Sequence, residues 1–285
     1  VEMFNRVQLE REGCPHIHGL HLEGPYFAAS QAGAQNPAWL RNPEPEEYEE
    51  VLRRTDRIRR WSFAVELDGS DRFLQTLHRH GIITSLAHSD ADYAQVAHAH
   101  ALGLSCLTHF YSCMTTVRRK NAYRYAGAIE AGYLMDELYV EAIADGSHLP
   151  AELLRLIYKV KKPHRICLVT DSIAAAGLPD GEYSLGGVAC IKEDGVAKLL
   201  DRSAFAGSVA TTDMLVRTFR GLTGAPLADV VRMVSLTPAE LLGIDRKTGS
   251  IKAGKVADLL VFDEDIQIRH ISVGGRIEFS ELAGS

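Results

Sequence analysis

The first 171 residues alternate between short apolar segments and longer amphipathic ones. The apolar segments are rich in β-branched residues and are bounded by glycine, proline or polar residues, which is typical of buried strands. The amphipathic segments repeat their apolar positions at helical spacing. Strands that alternate with helices predict βα units, in which neighbouring strands run parallel. Six strands are predicted, at residues 16–23, 61–67, 81–88, 104–109, 138–145 and 165–171.

Helices are predicted between these strands. The clearest cover residues 44–60, 70–81 and 90–103. Ser70, Ser89 and Pro150 stand where helices are expected to begin. Gly81 and Gly103 stand where helices are expected to end.

The predicted strands end at or beside a side chain that can bind a metal or exchange a proton. These side chains are Glu23, Glu66, His88, His109, Asp145 and Asp171. In a doubly wound sheet functional residues gather at a switch point, whereas every strand end of a (β/α)8 barrel opens onto one mouth. The pattern therefore predicts an α/β fold of the (β/α)8 TIM-type barrel class. Six strands cannot close such a barrel, so two further strands are expected before Val1 if this interpretation is correct.

The pattern changes after Asp171. Residues 182–200 alternate like a β-ribbon, residues 208–222 and 226–243 are predicted helices, and residues 248–277 are short strands separated by glycines. We predict a barrel domain over residues 1–245, with the ribbon inserted near residues 182–200. We also predict a small β-sandwich part over residues 246–285.

The composition is that of a globular chain. Of its 285 residues 46% are hydrophobic and 24% are charged. The formal net charge is -6 and no basic stripe is present, which argues against a nucleic-acid partner. No apolar run approaches the roughly 18 residues of a membrane helix, so no membrane partner is expected. The five cysteines are widely spaced without a CxxC pair, which favours a reducing cytoplasm over a disulfide framework or a zinc ribbon.

Glu23 ends an apolar strand in the stretch LHLEGPYF, where packing has no use for a carboxylate. Glutamate is rarely buried unless it is paired or binds a metal. His88 and His109 end neighbouring strands, and zinc and similar ions take imidazole nitrogen and carboxylate oxygen as ligands. Taken singly, each histidine is better explained as a polar residue hydrogen-bonded to a loop. The combination of all three favours a divalent metal site with a position open for water.

Asp171 and His148 are the candidate catalytic residues. Asp171 ends the apolar strand LVTD, where it is either a turn or N-cap aspartate or a general base that later protonates a leaving nitrogen. His148 follows the preceding strand, where it is either a helix-start histidine or a group that polarises a carbonyl. Histidines within predicted helices, such as His98 and His100, are expected in solvated positions.

A series of motifs in order along the chain resembles the N-acetylglucosamine-6-phosphate deacetylase family of the amidohydrolase superfamily. They are HLEGPYF, LAHSDADY, THFYSCM, IADGSHLP, LVTDSIAAAGLPDGEY, FAGS and LTPAELLGID with GSIKAGKVADLLVFD. The resemblance implies a (β/α)8 barrel with a small β-sandwich built from both chain ends, and it implies that the N-terminal sandwich strands and the first barrel strands are missing from this sequence. It also implies metal-dependent deacetylation of a small-molecule amino-sugar phosphate by a homodimer.

The same resemblance assigns roles to residues. Glu23, His88 and His109 become the metal ligands. Asp171 becomes the catalytic acid/base, and His148 contacts the acetyl group and polarises its carbonyl. Zinc is the expected ion, with iron or another divalent ion as alternatives. Whether one or two ions bind stays open, because the first barrel strand is absent from this sequence.

Further substrate contacts are expected where the chain partly departs from the family. They are Ala34, Gln35, His148, Ser112, Cys113, Arg119, Lys120, Ala206 and Gly207. Ser112 and Cys113 replace the Asn-Ala of the family's THLYNAM motif. The family's REPG segment, whose arginine grips phosphate, is replaced by TTVRRKNAYRYAG. One of its basic residues is expected to bind phosphate, although such runs are usually exposed loop charges, and the exact sugar stays open.

Two alternatives remain. One is a related amidohydrolase that acts on a different N-acyl sugar, a cyclic amide or an N-acyl amino acid. Members that use a carboxylated lysine are disfavoured, because no predicted strand ends in lysine. The other is a catalytically silent sugar-phosphate-binding protein, which is disfavoured because all five polar residues of the proposed site are present.

Overall fold

The computed structural model describes residues 1–6 and 16–282. Its strands are β1 (Leu20–Glu23), β2 (Ile58–Phe63), β3 (Ile83–Leu86), β4 (Cys106–Leu107), β5 (Arg118–Lys120), β6 (Tyr123–Tyr125), β7 (Tyr139–Ala142), β8 (Ile166–Leu168), β9 (Gly181–Leu185), β10 (Val188–Glu193), β11 (Val196–Leu199), β12 (Leu259–Phe262), β13 (Ile268–Val273) and β14 (Arg276–Ser280). Its α-helices are α1 (Glu2–Asn5), α2 (Pro45–Arg54), α3 (Ser70–Arg79), α4 (Tyr93–Ala101), α5 (Ala128–Leu134), α6 (Ala151–Lys161), α7 (Thr212–Thr223), α8 (Leu227–Val234) and α9 (Leu236–Leu241).

One parallel sheet contains strands β1, β2, β3, β4, β7 and β8, in that spatial order. Strands that follow each other along the chain are therefore neighbours in the sheet, without the reversal that marks a doubly wound fold. Sequential parallel strands joined by helices are the arrangement of a (β/α) barrel, present here as an open six-stranded half. The predicted fold class is thus confirmed, with all six predicted strands in place.

All six strands have bounds that differ from the prediction, and two of the differences have a clear physical reason. Residues 16–19 have no regular structure, so β1 is shorter than predicted. Residues 58–60 were expected to end a helix but begin β2, and α2 ends at Arg54, after which Thr55 is extended. In β2, Ile58 and Arg60 are buried whereas Arg59 is exposed, which is the alternation of a strand. Pairing with β1 and β3 therefore overrides the charged, helix-like sequence.

Two helix boundaries also differ. Asp92, rather than Ser89, caps α4: its carboxylate accepts a hydrogen bond from the Gln95 backbone N–H at 3.0 Å. The Gln95 side chain accepts one from the Asp92 backbone N–H at 3.0 Å, which completes a capping box. The helix predicted over residues 226–243 is divided into α8 and α9 at Ser235, whose φ of -131° and ψ of -75° are not helical.

The remaining sheets are antiparallel. Strands β9, β10 and β11 form the predicted ribbon, and β12, β13 and β14 form the C-terminal sheet. Strands β5 and β6 pair as a hairpin in the basic segment, which was expected to be a loop. Within the described ranges no helix is long and apolar enough to cross a bilayer. The domain boundary at residues 245–246 stays a prediction.

A charged pair is buried inside the parallel sheet. Arg60 on β2 donates hydrogen bonds to both carboxylate oxygens of Glu141 on β7, and both side chains are buried. Arg60 also donates to Thr108 Oγ1 at 2.9 Å, and the hydroxyls of Ser62 and Ser85 each lie 2.7 Å from that oxygen. Burial disfavours the charged carboxylate, but the charge of Arg60 outweighs it and holds the pKa of Glu141 below its ordinary value.

Replacing Arg60 with Met is expected to destabilise the fold by about 3–5 kcal/mol, because Glu141 would remain as an unpaired buried charge. Urea unfolding of the purified protein measures this loss. The double variant Arg60→Met, Glu141→Leu should recover much of it. The control is Arg54→Met, which removes an exposed ion pair with Glu50 and should change little. An Arg60→Met protein as stable as the parent would contradict the proposed contribution of this ion pair to the free energy of unfolding.

Candidate active site at the carboxyl ends of the strands

Five polar side chains from different strand ends line one cavity of about 630 Å³. They are Glu23, His88, His109, His148 and Asp171. Glu23 is the last residue of β1, and the others follow β3, β4, β7 and β8. Because the carboxyl ends of sequential parallel strands open onto one side, residues far apart in sequence meet there. The structure therefore brings together the residues that were predicted to form the metal and catalytic site.

The backbone at three of these residues is left-handed. The φ angles of His88, His109 and Asp171 are 45°, 35° and 49°. Non-glycine residues seldom adopt this conformation, which costs on the order of 1–3 kcal/mol when the surrounding structure imposes it. Hydrogen bonds to the strained carbonyls help to hold it, from Ala28 N to His88 O and from Ser208 N to Asp171 O, both at 3.0 Å. Sequence reasoning missed this feature, because histidine and aspartate adopt it more often than most residues but still too rarely for a prediction.

Glu23, His88 and His109 converge on one point. Glu23 Oε1 lies 3.1 Å from His88 Nε2 and 3.1 Å from His109 Nε2. One ligand atom from each residue lies within 4.8 Å of the other two. Two imidazole nitrogens and a carboxylate oxygen form a donor set that suits zinc or a similar divalent ion.

The hydrogen bonds of His88 test whether a cation fits this site. Its Nδ1 lies 2.7 Å from the carbonyl oxygen of Gln31, and a carbonyl only accepts, so Nδ1 carries a proton. In the neutral ring Nε2 then aims a lone pair at the Glu23 oxygen. That contact is repulsive unless a proton or a metal ion lies between the two atoms. The donor set therefore fits a bound cation.

The charges of the triad agree with this. Burial by itself lowers the pKa of His88, but its contacts with Cys113 and Glu23 outweigh burial and raise the pKa to about 10. Burial disfavours the charged form of Glu23, yet hydrogen bonds from His109 and His88 hold its pKa well below the ordinary value. The cavity thus stabilises positive charge at the point where the three side chains meet.

Apart from the contact of its Nε2 with Glu23, the ring of His109 is oriented by packing. Its ring stands edge-on to His88, with centroids 4.9 Å apart and an interplanar angle of 87°. Its buried Nδ1 has no hydrogen-bond partner within residues 1–6 and 16–282.

Asp171 and His148 line the same cavity. Burial, and then the negative charge of Glu23, raise the pKa of Asp171 above its ordinary value. His148 Nδ1 lies 2.7 Å from Asp145 Oδ2, and both side chains are buried. Burial opposes ionisation of Asp145, but the hydrogen bond from His148 outweighs it and lowers the pKa of Asp145. The anionic carboxylate fixes the imidazole and leaves its Nε2 available to the cavity.

Most of the predicted substrate contacts also lie on this cavity. The lining includes Ala34, Gln35, Ser112, Cys113, Ala206 and Gly207. Arg119 and Lys120 do not line it, because they lie on the exposed β5–β6 hairpin. The structure thus separates the basic cluster from the other predicted contacts, and the roles of all these residues stay predictions.

Sequence reasoning missed an apolar wall contributed largely by the β-ribbon and its neighbouring loops. Ile173, Leu185 and Phe205 line the cavity, and the Phe205 ring packs on His148 with centroids 4.6 Å apart. Gly207 has φ of 98°, and a Cβ there would come within 2.6 Å of the Ile173 Cγ2. Glycine is therefore required where the ribbon returns past the Asp171 loop. The FAGS motif at residues 205–208 was the available sequence signal.

Glu66 does not line this cavity. Its side chain accepts hydrogen bonds from Ser89 Oγ at 2.6 Å and from the backbone N–H of Asp90. Burial is the main cause that raises the pKa of Glu66 above its ordinary value. It therefore acts as a clamp on the loop that follows His88.

The chain is similar in sequence to a known protein family and to curated members of known activity. The model of the amidohydrolase family matches residues 8–281. An N-acetylglucosamine-6-phosphate deacetylase from Vibrio furnissii is 34% identical over 264 residues, which is 92% of this chain and 65% of the relative. An N-acetylgalactosamine-6-phosphate deacetylase from Escherichia coli O157:H7 is 33% identical over 262 residues, which is 92% of this chain and 68% of the relative. The chain thus spans about two thirds of the length of these curated relatives.

A solved structure of a deacetylase has a fold similar to that of this chain. It is a mutant N-acetyl-D-glucosamine-6-phosphate deacetylase from Mycobacterium smegmatis in complex with N-acetyl-D-glucosamine-6-phosphate. The TM-score is 0.87 at 31% identity, over 93% of this chain and 69% of that chain. The resemblance inferred from the sequence motifs is confirmed.

Proposed function

Because the chain belongs to the amidohydrolase family, we propose that it carries the active site of a metal-dependent deacetylase that releases acetate from an N-acetyl amino-sugar phosphate. One observation carries this proposal: the ligand atoms of Glu23, His88 and His109 converge within 4.8 Å, on the cavity that Asp171 and His148 also line. A silent binding protein would have no use for a strained backbone at His88, His109 and Asp171.

In the proposed mechanism Glu23, His88 and His109 hold a divalent ion, with zinc as the expected metal. Such an ion supplies Lewis acidity, so that water can lose a proton near neutral pH. Asp171 accepts the proton of the attacking water and then donates it to the amine nitrogen as the C–N bond breaks. Asp171 lines the same cavity as the proposed ligands, so its carboxyl group can carry the proton between the two events.

His148 stabilises the developing oxyanion in this mechanism. As an imidazolium paired with Asp145, it donates from Nε2 to the acetyl oxygen, while Nδ1 stays hydrogen-bonded to the carboxylate. Phe205 packs on the ring and limits its motion. The apolar wall of Ile173 and Leu185 excludes water from one side of the cavity.

The substrate is proposed to be an amino-sugar phosphate because the relatives named for such substrates match over most of this chain. They include one enzyme for the glucosamine and one for the galactosamine epimer at similar identity, so both sugars are candidates. Arg119 lies opposite Arg124 in the β5–β6 hairpin, and within the described residues neither has an ion-pair partner. The proposed phosphate contact is this hairpin, which also carries Lys120. The homodimer and the cytoplasmic location also stay predictions.

Acetate release from defined substrates tests the proposal. The purified protein, with its metal content measured, is given N-acetylglucosamine 6-phosphate, N-acetylgalactosamine 6-phosphate, unphosphorylated N-acetylglucosamine and an N-acetyl amino acid. We expect release from a phosphorylated sugar, and much less after removal of metal with a chelator. Release only from the amino acid would favour the related amidohydrolase. Tight sugar-phosphate binding without metal or acetate release would favour the silent protein.

A further inference from the structure

We propose that Asp90 is a positioning residue that sets the tautomer and orientation of His88, and so the metal affinity of the site, by holding the loop of residues 28–36. This inference rests on the proposed metal site and adds a residue that binds neither metal nor substrate. Asp90 follows His88 by two positions and does not line the cavity.

The carboxylate of Asp90 ties two loops together. Its Oδ2 accepts a hydrogen bond from Ser30 Oγ at 2.7 Å, and its Oδ1 accepts one from Gln31 Nε2 at 2.9 Å. Ser30 and Gln31 belong to a short 3-10 helix in the loop that also carries the cavity residues Ala34 and Gln35. Asp90 therefore fixes the position of Gln31 by accepting a hydrogen bond from the Gln31 side chain.

The main chain of Gln31 in turn fixes His88. Its carbonyl oxygen lies 2.7 Å from His88 Nδ1 and forces the proton onto that nitrogen. Only then is Nε2 free to bind a metal beside Glu23. Partners of this kind, which hold the second nitrogen of a ligating imidazole, are generally worth 10- to 100-fold in metal affinity.

Asp90 is itself held from the opposite side. Glu66 accepts a hydrogen bond from its backbone N–H and another from Ser89 Oγ. Arg118, at the base of the β5–β6 hairpin, donates to the Asp90 carbonyl at 2.8 Å and lies 3.4 Å from Oδ1. The Asp90 carboxylate thus connects the contacts made by Glu66 and Arg118 to Gln31, the hydrogen-bond partner of His88, which is the geometry of a positioning residue.

Zinc affinity of the purified protein, measured by chelator competition, tests this role. Asp90→Ala is expected to weaken zinc binding by about 10- to 100-fold. Asp90→Asn should stay within about threefold of the parent, because the amide keeps one acceptor for Gln31 and the Ser30 hydroxyl can reverse its hydrogen bond. The control is Asp180→Ala, whose zinc affinity should be unchanged because Asp180 is exposed and lies outside the cavity.

A double-mutant cycle separates positioning from general stability. Gln31→Ala keeps the carbonyl that binds His88 but loses one of the two hydrogen bonds to Asp90, so it should weaken zinc binding, by no more than Asp90→Ala does. If the two residues act through one link, the double variant is no weaker than Asp90→Ala alone. Gln31→Ala also supplies the measurement if Asp90→Ala does not fold.

Three outcomes would overturn the inference. They are additive losses in the cycle, an Asp90→Asn protein as weak as Asp90→Ala, and an Asp90→Ala protein that melts earlier but binds zinc within about twofold of the parent. Failure of the parent protein to bind zinc or another divalent ion would instead reject the proposed function. The two failures are therefore distinguishable.

Discussion

Replacing Asp171 with Asn is expected to lower kcat by about 10²- to 10⁴-fold, the usual contribution of a positioned general acid or base. The amide has the shape of the carboxyl group but cannot accept the proton of water and return it to the amine. Zinc content should stay normal, because the ligands are Glu23, His88 and His109 in the proposed site. Acetate release under saturating substrate, with metal analysis of the same sample, is the measurement.

The stability of the Asp171→Asn protein provides a second check. In the metal-free folded protein the pKa of this carboxyl is raised, so its ionised form opposes folding at pH values above that pKa. A neutral amide removes this opposition, and the metal-free variant should unfold no more easily than the metal-free parent at neutral pH. The matched control is Asp180→Asn, since Asp180 is exposed and lies outside the cavity. Turnover within about tenfold of the parent, with normal zinc content, would remove Asp171 from the catalytic role.

Replacing Glu23 with Gln is expected to abolish tight metal binding. The amide carries no charge and is a poorer ligand for zinc than a carboxylate. The loss in affinity should exceed the 10- to 100-fold that is typical of residues behind the ligands. Zinc titration of the metal-free protein measures it directly. Activity should fall with it unless zinc is added in large excess.

Thermal unfolding offers a readout of the Glu23→Gln variant that does not depend on activity. A metal that binds only the folded protein raises its unfolding temperature in proportion to the logarithm of its concentration. The parent should show this shift with added zinc, and the variant should show little of it. The control is Glu46→Gln on α2, an exposed glutamate far along the chain from any predicted ligand. An equal zinc-induced shift in variant and parent would exclude Glu23 as a ligand.

The polar residues of the site form two groups, one that binds a cation and one that exchanges a proton. Glu23 and His88 need a cation between them, a proton or a metal ion, because the proton on His88 Nδ1 leaves the Nε2 lone pair aimed at the carboxylate. Asp171 can bind and release a proton, and in the metal-free protein burial and then the charge of Glu23 raise its pKa. A hydrolase that splits an amide uses both, which is why the arrangement supports deacetylation better than simple sugar binding.

Local patterns in the sequence were enough to predict the order of the strands and the chemistry at their ends. Alternation of apolar and amphipathic segments is a local property, so the six parallel strands could be predicted, together with Glu23, His88, His109, His148 and Asp171 at their carboxyl ends. Boundaries were less certain where local and tertiary preferences conflict. Residues 58–60 have a helix-like sequence pattern but form part of β2, where Arg60 makes an ion pair with Glu141 inside the sheet.

Contacts across the fold determine how these residues act together. The left-handed backbone at His88 and Asp171 is held by hydrogen bonds from distant loops, so local sequence could not assign it. The link from Asp90 through Gln31 to His88 and the packing of Phe205 on His148 likewise join segments that are remote along the chain. Local patterns specify which side chains are present at each strand end, whereas contacts between those ends decide which way each side chain points and which proton it carries.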